Sequence, residues 1–247
     1  MLAGGGPLVA LRLGASMLAL QASIGAVNDV VDAGVDRGRK PGKPLPRGVV
    51  GRGEAQAVAT IGLVLGLALS GLSGIPTGAV AASGVGLGYV YDVRLSRTAW
   101  SWLPLAAALP LVPIHAWLGS TGQVPAALLT LVPVGILAGG GLMLANGLAD
   151  LERDLAAGVR TAAVALGQWA WAVDASAMAA VVALAWLLAP STAGSLLAAT
   201  SLGTVLAILG VVLSAARSPG RRERGWELQA AGVAALGLAW IAGIAAI

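Results

Sequence analysis

Long runs of apolar residues constrain the fold of this chain more than any other feature. A helix of about 20 apolar residues crosses the hydrocarbon layer of a membrane, which is about 30 Å thick, and the sequence has several runs of about that length. Backbone groups in lipid must be hydrogen-bonded internally, so only helices and closed barrels span a membrane. Because the runs lack the alternation over about ten residues that barrel strands show, the sequence predicts an all-α, polytopic transmembrane helical bundle.

Eight spans are predicted from these runs. They cover residues 8–27, 54–72, 77–91, 99–118, 124–146, 167–189, 192–215 and 227–246. Of the 26 charged residues, 24 lie in the first, third, fifth and seventh connections or at the adjoining helix ends. Successive connections alternate between the two sides of the membrane, so the charged ones share one face, which is cytoplasmic by the positive-inside rule. Both termini are then expected on the outer side.

Composition excludes several other classes of protein and site. The chain has no cysteine, which rules out disulfides, thiolate metal sites and cysteine nucleophiles. Its net charge of +4 does not indicate a nucleic-acid partner, because the basic residues lie in short loops between spans, as topology requires. The expected partner is therefore the lipid bilayer and not a nucleic acid.

Three polar residues fall within the predicted spans or at their ends. Arg12 is expected to extend its long side chain to the outer interface. His115, the only histidine, is expected at the same interface and away from the chemistry. Asp174 is an intramembrane carboxylate, for which a functional role and a purely structural pairing both remain open.

The first charged connection opens with a stripe of amide and carboxylate side chains. Asn28, Asp32 and Asp36 are spaced four residues apart, so they share one face if the first helix continues past the membrane surface. Gln21 extends the same stripe inwards. Like charges at this spacing destabilise a helix by roughly 0.2–0.5 kcal/mol per pair, which indicates a compensating cation.

The fifth connection repeats this arrangement. Asn146, Asp150 and Asp154 have the same spacing at the end of the fifth span, whereas Glu152 falls on the opposite side and is expected to be solvated. Two matching stripes on the same membrane face predict a single domain built of two pseudo-repeated halves, about residues 1–118 and 119–247.

The chemistry of these side chains favours magnesium and a phosphorylated substrate. Carboxylate and amide oxygens suit a hard cation, and protein-bound Mg²⁺ is usually shared with substrate phosphates. Basic residues near the stripes serve topology, and they would also neutralise a diphosphate. They are Arg37, Arg39, Lys40, Lys43, Arg47, Arg52, Arg94, Arg97, Arg153 and Arg160. The combination predicts a substrate with a diphosphate head at the membrane surface and an apolar tail between the helices.

At these residues the chain resembles the UbiA superfamily of intramembrane prenyltransferases, in particular its 4-hydroxybenzoate polyprenyltransferase-like members. The family's first signature, Asn-Asp-xx-Asp-xxx-Asp followed by Arg/Lys-Pro-Leu-xx-Gly, is matched by residues 28–36 and 43–48. The second signature, Asp-xxx-Asp followed by a glycine and a threonine, is matched by residues 150–161. The likeness covers about residues 20–170, and the later spans match in character only.

The resemblance implies a bundle around a central cavity and two magnesium ions that bridge the acidic motifs to a prenyl diphosphate. Asn28, Asp32 and Asp36 would hold one ion, and Asp150 and Asp154 the other, which makes the four aspartates the catalytic residues. Further expected contacts to the substrate are Asn28, Lys43, Arg47, Tyr91, Arg97 and Asn146, with Tyr89 and Arg94 as alternatives.

The number of spans departs from the family pattern. Members usually have nine, with one more span before the first signature, whereas the sequence has a single predicted span there. The expectation is that the true start lies upstream, that the sequence is a fragment, or that the bundle works without this helix.

The implied reaction is electrophilic prenyl transfer to a membrane-associated acceptor, most naturally an aromatic compound or a quinone precursor. Tetrapyrrole, glycerol-phosphate lipid and phosphoribosyl acceptors, and cyclisation of the prenyl chain, remain open. Of the other classes, a transporter with acidic gates is disfavoured because transporter sites lie near the membrane midplane, where only Asp174 is a candidate. A non-catalytic scaffold would not need two matched acidic stripes.

Overall fold

A computed structural model of the chain describes residues 5–36, 43–189 and 194–245. Within these ranges the regular structure is entirely helical, which confirms the predicted fold class. Arg37, Arg39 and Lys40, which were predicted near the first acidic stripe, lie outside the described residues.

The described residues form twelve α-helices, α1 to α12 in chain order. They are α1 (Pro7–Asp36), α2 (Arg52–Gly71), α3 (Ile75–Val90), α4 (Leu103–Ala108), α5 (Leu111–Thr121), α6 (Ala126–Leu129), α7 (Leu131–Ala149), α8 (Leu151–Ala156), α9 (Ala162–Leu166), α10 (Ala170–Leu187), α11 (Gly194–Ser214) and α12 (Pro219–Ala245). A π-helix (Tyr91–Leu95) directly follows α3, and a short 3₁₀-helix (Gly167–Trp169) precedes α10.

Seven helical stretches of the described chain are long and apolar enough to cross a membrane, where the sequence predicts eight spans. The difference is the third predicted span. It corresponds to α3, which has 16 residues and, at 1.5 Å per residue, a length of about 24 Å. The other seven predicted spans each overlap a qualifying helical stretch, so the chain is an integral membrane protein.

Helices α1, α2 and α3 belong to the first of two compact units, which among the described residues comprises mainly 5–36, 43–94 and 114–124. Close approach of α1 and α2 depends on glycine, because a Cβ atom at Gly62 would lie 2.6 Å from the carbonyl oxygen of Ala19. Leu20 of α1 packs with Ala81 and Val85 of α3 in a buried core. Small residues at such contacts are typical of helices that associate in lipid.

The second unit comprises mainly the described residues of 95–113 and 125–245, and α11 and α12 pack closely within it. An added Cβ at Gly232 would lie 2.7 Å from both the Gly203 oxygen and the Ala207 nitrogen. At Gly210 it would lie 2.6 Å from the Gly225 oxygen. The two backbones therefore approach closely at these glycines, and substituting them requires the helices to separate.

The environment of His115 differs from the expectation of an interfacial side chain. His115 is 3% exposed, and its Nε2 lies 2.8 Å from the hydroxyl of Ser70, which in turn lies 2.6 Å from that of Ser16. Arg12, also expected at the interface, donates a hydrogen bond to the hydroxyl of Ser73. Serine hydroxyls inside the first unit thus supply the polar partners that lipid headgroups were expected to supply.

Asp174 is fully buried within the second unit. Its Oδ2 accepts a hydrogen bond of 3.0 Å from Nε2 of Gln229, which also donates to the hydroxyl of Ser214 at 3.0 Å. These contacts join α10, α11 and α12, and they support the structural pairing of Asp174 over a functional role.

Candidate functional site

The first acidic motif lies at the carboxyl end of α1. The helix has 30 residues and continues without a break to Asp36, which confirms that it extends beyond the apolar run. The four-residue spacing therefore places Asn28, Asp32 and Asp36 along one face. The side chain of Asp36 lies outside the described part of the structure.

A hydrogen-bonded network surrounds the carboxamide of Asn28. Its Nδ2 donates to Oδ1 of Asp92 at 2.9 Å and lies 3.5 Å from Oδ2 of Asp32. Its Oδ1 accepts from Nζ of Lys43 at 3.1 Å, and the same ammonium lies 2.9 Å from Oδ1 of Asp29. Two predicted site residues, Asp32 and Lys43, are thus brought together with Asn28 in the first unit.

Asp92 is a member of this network that the motif analysis missed. It is 4% exposed and belongs to the π-helix that follows α3. Burial raises the pKa of Asp92 to about 6; the hydrogen bond from Asn28 and the charge of Lys43 oppose this rise, and the charge of Asp32 adds to it. The available sequence signal is its position, because it is the only acidic residue of the third connection and directly follows Tyr91.

Lys43 is followed by a tight turn. The amide of Val49 donates to the carbonyl of Pro44 at 3.0 Å, and Gly48 has a φ of +70°. That left-handed conformation is accessible to glycine at no steric cost, which explains a glycine at the end of this segment. The side chain of Arg47, on the same turn, is exposed.

The two candidate tyrosines occupy different environments. The hydroxyl of Tyr89 lies 2.6 Å from that of Ser23, which gives Tyr89 a structural partner inside the first unit. Tyr91 is the first residue of the π-helix and is half-buried. Arg97, the basic residue expected to contact the substrate, and its alternative Arg94 both have exposed side chains.

The second acidic motif lies where α7 ends and α8 begins. Asp150 separates the two helices with φ −96° and ψ 2°, yet its amide still bonds the carbonyl of Asn146 and its carbonyl still accepts from the amide of Asp154. The predicted four-residue spacing therefore survives a local break in the helix. The hydroxyl of Thr161 donates to Oδ2 of Asp154 at 3.0 Å, so the threonine of the second signature orients its second aspartate.

Arg153 contacts the second motif, and Arg222 contacts the neighbouring Glu152. Arg153 forms an exposed ion pair with Asp150, with 2.9 Å between Nη1 and Oδ1. Glu152, predicted to be solvated, is 56% exposed but also pairs with Arg222 of α12, whose side chain is 8% exposed. The hydrogen bond from Arg222 lowers the pKa of Glu152. This contact ties α8, which carries Asp154, to the start of α12.

Breaking the Arg222–Glu152 pair is expected to destabilise the second unit modestly. We expect a coupling of about 1 kcal/mol in a double-mutant cycle, the upper end of the range for exposed pairs, because Glu152 is exposed while the side chain of Arg222 is buried. The cycle compares Arg222→Met, Glu152→Gln and the double variant, with unfolding followed in detergent. A matched control is the exposed pair of Arg224 and Glu227, for which a smaller coupling is expected. Strict additivity at Arg222 and Glu152 would contradict the assigned contact.

The donor atoms of the first motif fit a magnesium ion. Mg²⁺ commonly binds through one or two carboxylates plus substrate phosphates and keeps several waters, and the motif offers the Asn28 amide oxygen and the Asp32 carboxylate. Among the described residues, no three histidine or acidic side chains are grouped closely enough to hold a metal alone. The site therefore suits an ion that is shared with a ligand.

The second unit also contains an apolar cavity of about 490 Å³, a size within the usual range for small-molecule sites. Its wall on α7 includes Val134, Ala138 and Leu142. Leu142 precedes Asp150 by eight residues, which corresponds to about 12 Å along a helix. Within this unit, apolar space thus begins about two turns from the second acidic motif.

The two motifs belong to different compact units, and their action on one substrate remains a prediction. In comparisons with known proteins, the model of the UbiA prenyltransferase family matches residues 1–230. The chain is similar to the digeranylgeranylglyceryl phosphate synthase of Ignicoccus hospitalis, with 33% identity over 214 residues that cover 80% of this chain and 68% of the relative.

Two solved structures share the fold at low sequence identity. A UbiA homologue from Aeropyrum pernix K1 superimposes with a TM-score of 0.77 at 21% identity, covering 96% of this chain and 91% of that one. A UbiA homologue from Archaeoglobus fulgidus, bound to GPP and Mg²⁺, gives a TM-score of 0.73 at 17% identity, covering 96% and 89%.

Proposed function

Given that the chain belongs to the UbiA prenyltransferase family, we propose that it transfers a prenyl group from a prenyl diphosphate to a membrane-associated acceptor in a magnesium-dependent reaction. Family membership makes it a prenyltransferase rather than a transporter or a scaffold. The observation that carries the proposal is the network around Asn28, where amide and carboxylate oxygens lie beside the ammonium of Lys43. One helix end thereby combines oxygen ligands for a hard cation with a positively charged side chain that can bind a phosphate.

The proposed donor site uses the residues that the two signatures identify. Asn28, Asp32 and Asp36 would hold one ion, and Asp150 and Asp154 a second. When bound, Mg²⁺ withdraws electron density from the diphosphate and stabilises it as a leaving group. A complex of a relative with GPP and Mg²⁺ supports this choice of donor and metal.

Basic and aromatic side chains would hold the diphosphate in this proposal. Lys43 would leave Asn28 and Asp29 and, together with Arg47, offset the negative charge of the diphosphate. Tyr91 and Arg97 would contact the same group from the third connection, and Asn146 from α7. The charged face that carries these residues is proposed to be cytoplasmic, as the positive-inside rule indicates.

The proposed reaction would then proceed through an allylic carbocation. The bond between the allylic carbon and the diphosphate oxygen breaks, the acceptor attacks that carbon, and the acceptor loses a proton. A carboxylate of the motifs or the released diphosphate accepts the proton. The apolar cavity beside α7 would bind the prenyl chain and exclude water, which otherwise captures the cation.

The acceptor we propose is a glyceryl phosphate lipid. The support for it is the 33% identical relative, whose name describes a synthase of digeranylgeranylglyceryl phosphate. An aromatic or quinone-precursor acceptor, favoured from the sequence alone, stays a prediction and forms the second arm of the test.

The test is prenyl transfer by the purified chain in lipid nanodiscs. Geranyl and geranylgeranyl diphosphates are offered with a prenylated glyceryl phosphate or with 4-hydroxybenzoate, and products are identified by mass spectrometry. We expect transfer to the glyceryl phosphate, and none when the magnesium is chelated. Product from 4-hydroxybenzoate alone would overturn the acceptor assignment, and the lack of any magnesium-dependent product or diphosphate release would overturn the proposed reaction.

A further inference from the structure

The carboxamide of Asn28 is held in one of its two possible orientations. Its Nδ2 faces the carboxylate of Asp92 at 2.9 Å, and its Oδ1 faces the ammonium of Lys43 at 3.1 Å. The two ends of an amide differ only in oxygen and nitrogen, and the hydrogen-bond network decides which is which. A rotated amide would set its oxygen against a carboxylate and its N–H groups against an ammonium. Both neighbours therefore favour the same orientation.

Only one of these two neighbours is suited to keep the orientation when a cation binds. Asn28 can ligate a metal only through Oδ1, because an amide nitrogen carries donors and offers no lone pair to a cation. The ammonium of Lys43 occupies that side of the amide and would have to withdraw. Asp92 contacts the opposite end, on Nδ2, so a cation at Oδ1 leaves this contact in place.

The placement of Asp92 also fits a supporting role. It lies 64 residues from Asn28 in sequence and reaches it from the π-helix, an element that often occurs at functional sites. Burial of a carboxylate is unfavourable unless it is hydrogen-bonded or paired, and Asp92 is 4% exposed. The hydrogen bond that Asp92 accepts from Asn28 supplies part of that compensation.

We propose that Asp92 is a positioning residue of the first acidic motif: it accepts the Nδ2–H of Asn28 and thereby directs Oδ1 of Asn28 towards the magnesium ion. The inference rests on the proposed function, in which Asn28 is a ligand. Residues that hydrogen-bond a metal ligand fix its orientation, and their loss typically weakens metal affinity by about 10- to 100-fold.

The test measures metal binding without turnover. Mn²⁺ replaces Mg²⁺, its free concentration is read by electron paramagnetic resonance, and an unreactive prenyl thiodiphosphate is present because the site suits an ion shared with a ligand, with binding taken relative to the same analogue without protein. We expect Asp92→Ala to weaken Mn²⁺ binding by about 10- to 100-fold. Asp92→Asn keeps an acceptor oxygen and is expected to bind closer to wild type than to Asp92→Ala. In an Asn28→Ala background, Asp92→Ala should cause no further loss, because the residue acts through Asn28.

The matched control is Glu54→Gln, which removes one negative charge from the same unit, where Glu54 accepts a hydrogen bond from the Gly51 amide. Its Mn²⁺ affinity should equal that of wild type. If Asp92→Ala does not fold, as judged by its melting temperature without metal, Asp92→Ser takes its place in the same cycle.

Three results would overturn the inference, and the third would also overturn the proposed function. Wild-type affinity in Asp92→Ala would show that Asn28 needs no support. An additive loss in the Asn28→Ala background would make Asp92 a ligand or a charge in its own right. A wild-type chain that binds no Mn²⁺ would remove the metal site itself, and with it both the proposed function and this inference.

Discussion

Replacing Asp32 by asparagine is expected to reduce prenyl transfer by about 100-fold or more. Metal-ion stabilisation of a leaving group contributes several kcal/mol, and each 1.36 kcal/mol corresponds to a tenfold change in rate. Asparagine is nearly the same size but carries no charge to offset the cation. Asp150→Asn is expected to have an effect of the same order, and product formation at saturating acceptor is the measurement.

Charge-matched controls separate this effect from general electrostatics. Glu54→Gln in the first unit and Glu227→Gln in the second each remove one carboxylate that lies outside the two motifs, and both variants should retain activity. Raising the magnesium concentration should recover part of the lost rate if the substitutions weaken metal binding. Full activity in both Asp32→Asn and Asp150→Asn would show that the motifs do not carry the reaction.

Adding a single methyl group at Gly232 is expected to destabilise the second unit by about 1–3 kcal/mol, the usual range for overpacking a closely packed site. An alanine Cβ there would lie 2.7 Å from backbone atoms of Gly203 and Ala207. Backbone atoms cannot rotate away as a side chain does, so α11 and α12 must move apart. Thermal unfolding of Gly232→Ala in detergent measures the effect.

The same helix supplies the control for this substitution. Gly237 also lies on α12, but an added Cβ there meets no atom within 4 Å. Gly237→Ala should therefore leave the melting temperature unchanged or raise it slightly, since alanine favours a helix over glycine. Equal melting temperatures for the two variants would mean that the contact of α11 with α12 adjusts freely.

Hydropathy predicts spans well where a run is long, and poorly where the helix breaks within a run. The predicted span 192–215 compares with Gly194–Ser214, and 54–72 with Arg52–Gly71. The run 99–118, by contrast, contains two helices, α4 and α5, that are interrupted near Pro110. Proline has no N–H to continue the helical hydrogen bonds, a local effect to which a window average is insensitive.

The candidate site shows a similar division between local and distant information. The spacing of Asn28 and Asp32, and the nearby Lys43, are local in sequence, and the structure brings these three together. Asp92 and Arg222 reach their partners from 64 and 70 residues away. A contact of that range depends on how helices pack, and no spacing rule in the sequence encodes it.

The length of α1 has a consequence for how reactants reach the enzyme. Its 30 residues extend over about 45 Å, against a hydrocarbon layer of about 30 Å, so part of the helix stands in the aqueous boundary. In the proposed reaction, ions and diphosphate at its carboxyl end would exchange with water, while an apolar chain would enter and leave sideways through lipid. Exchange of ions and diphosphate through water and of the apolar chain through lipid would therefore have separate rates.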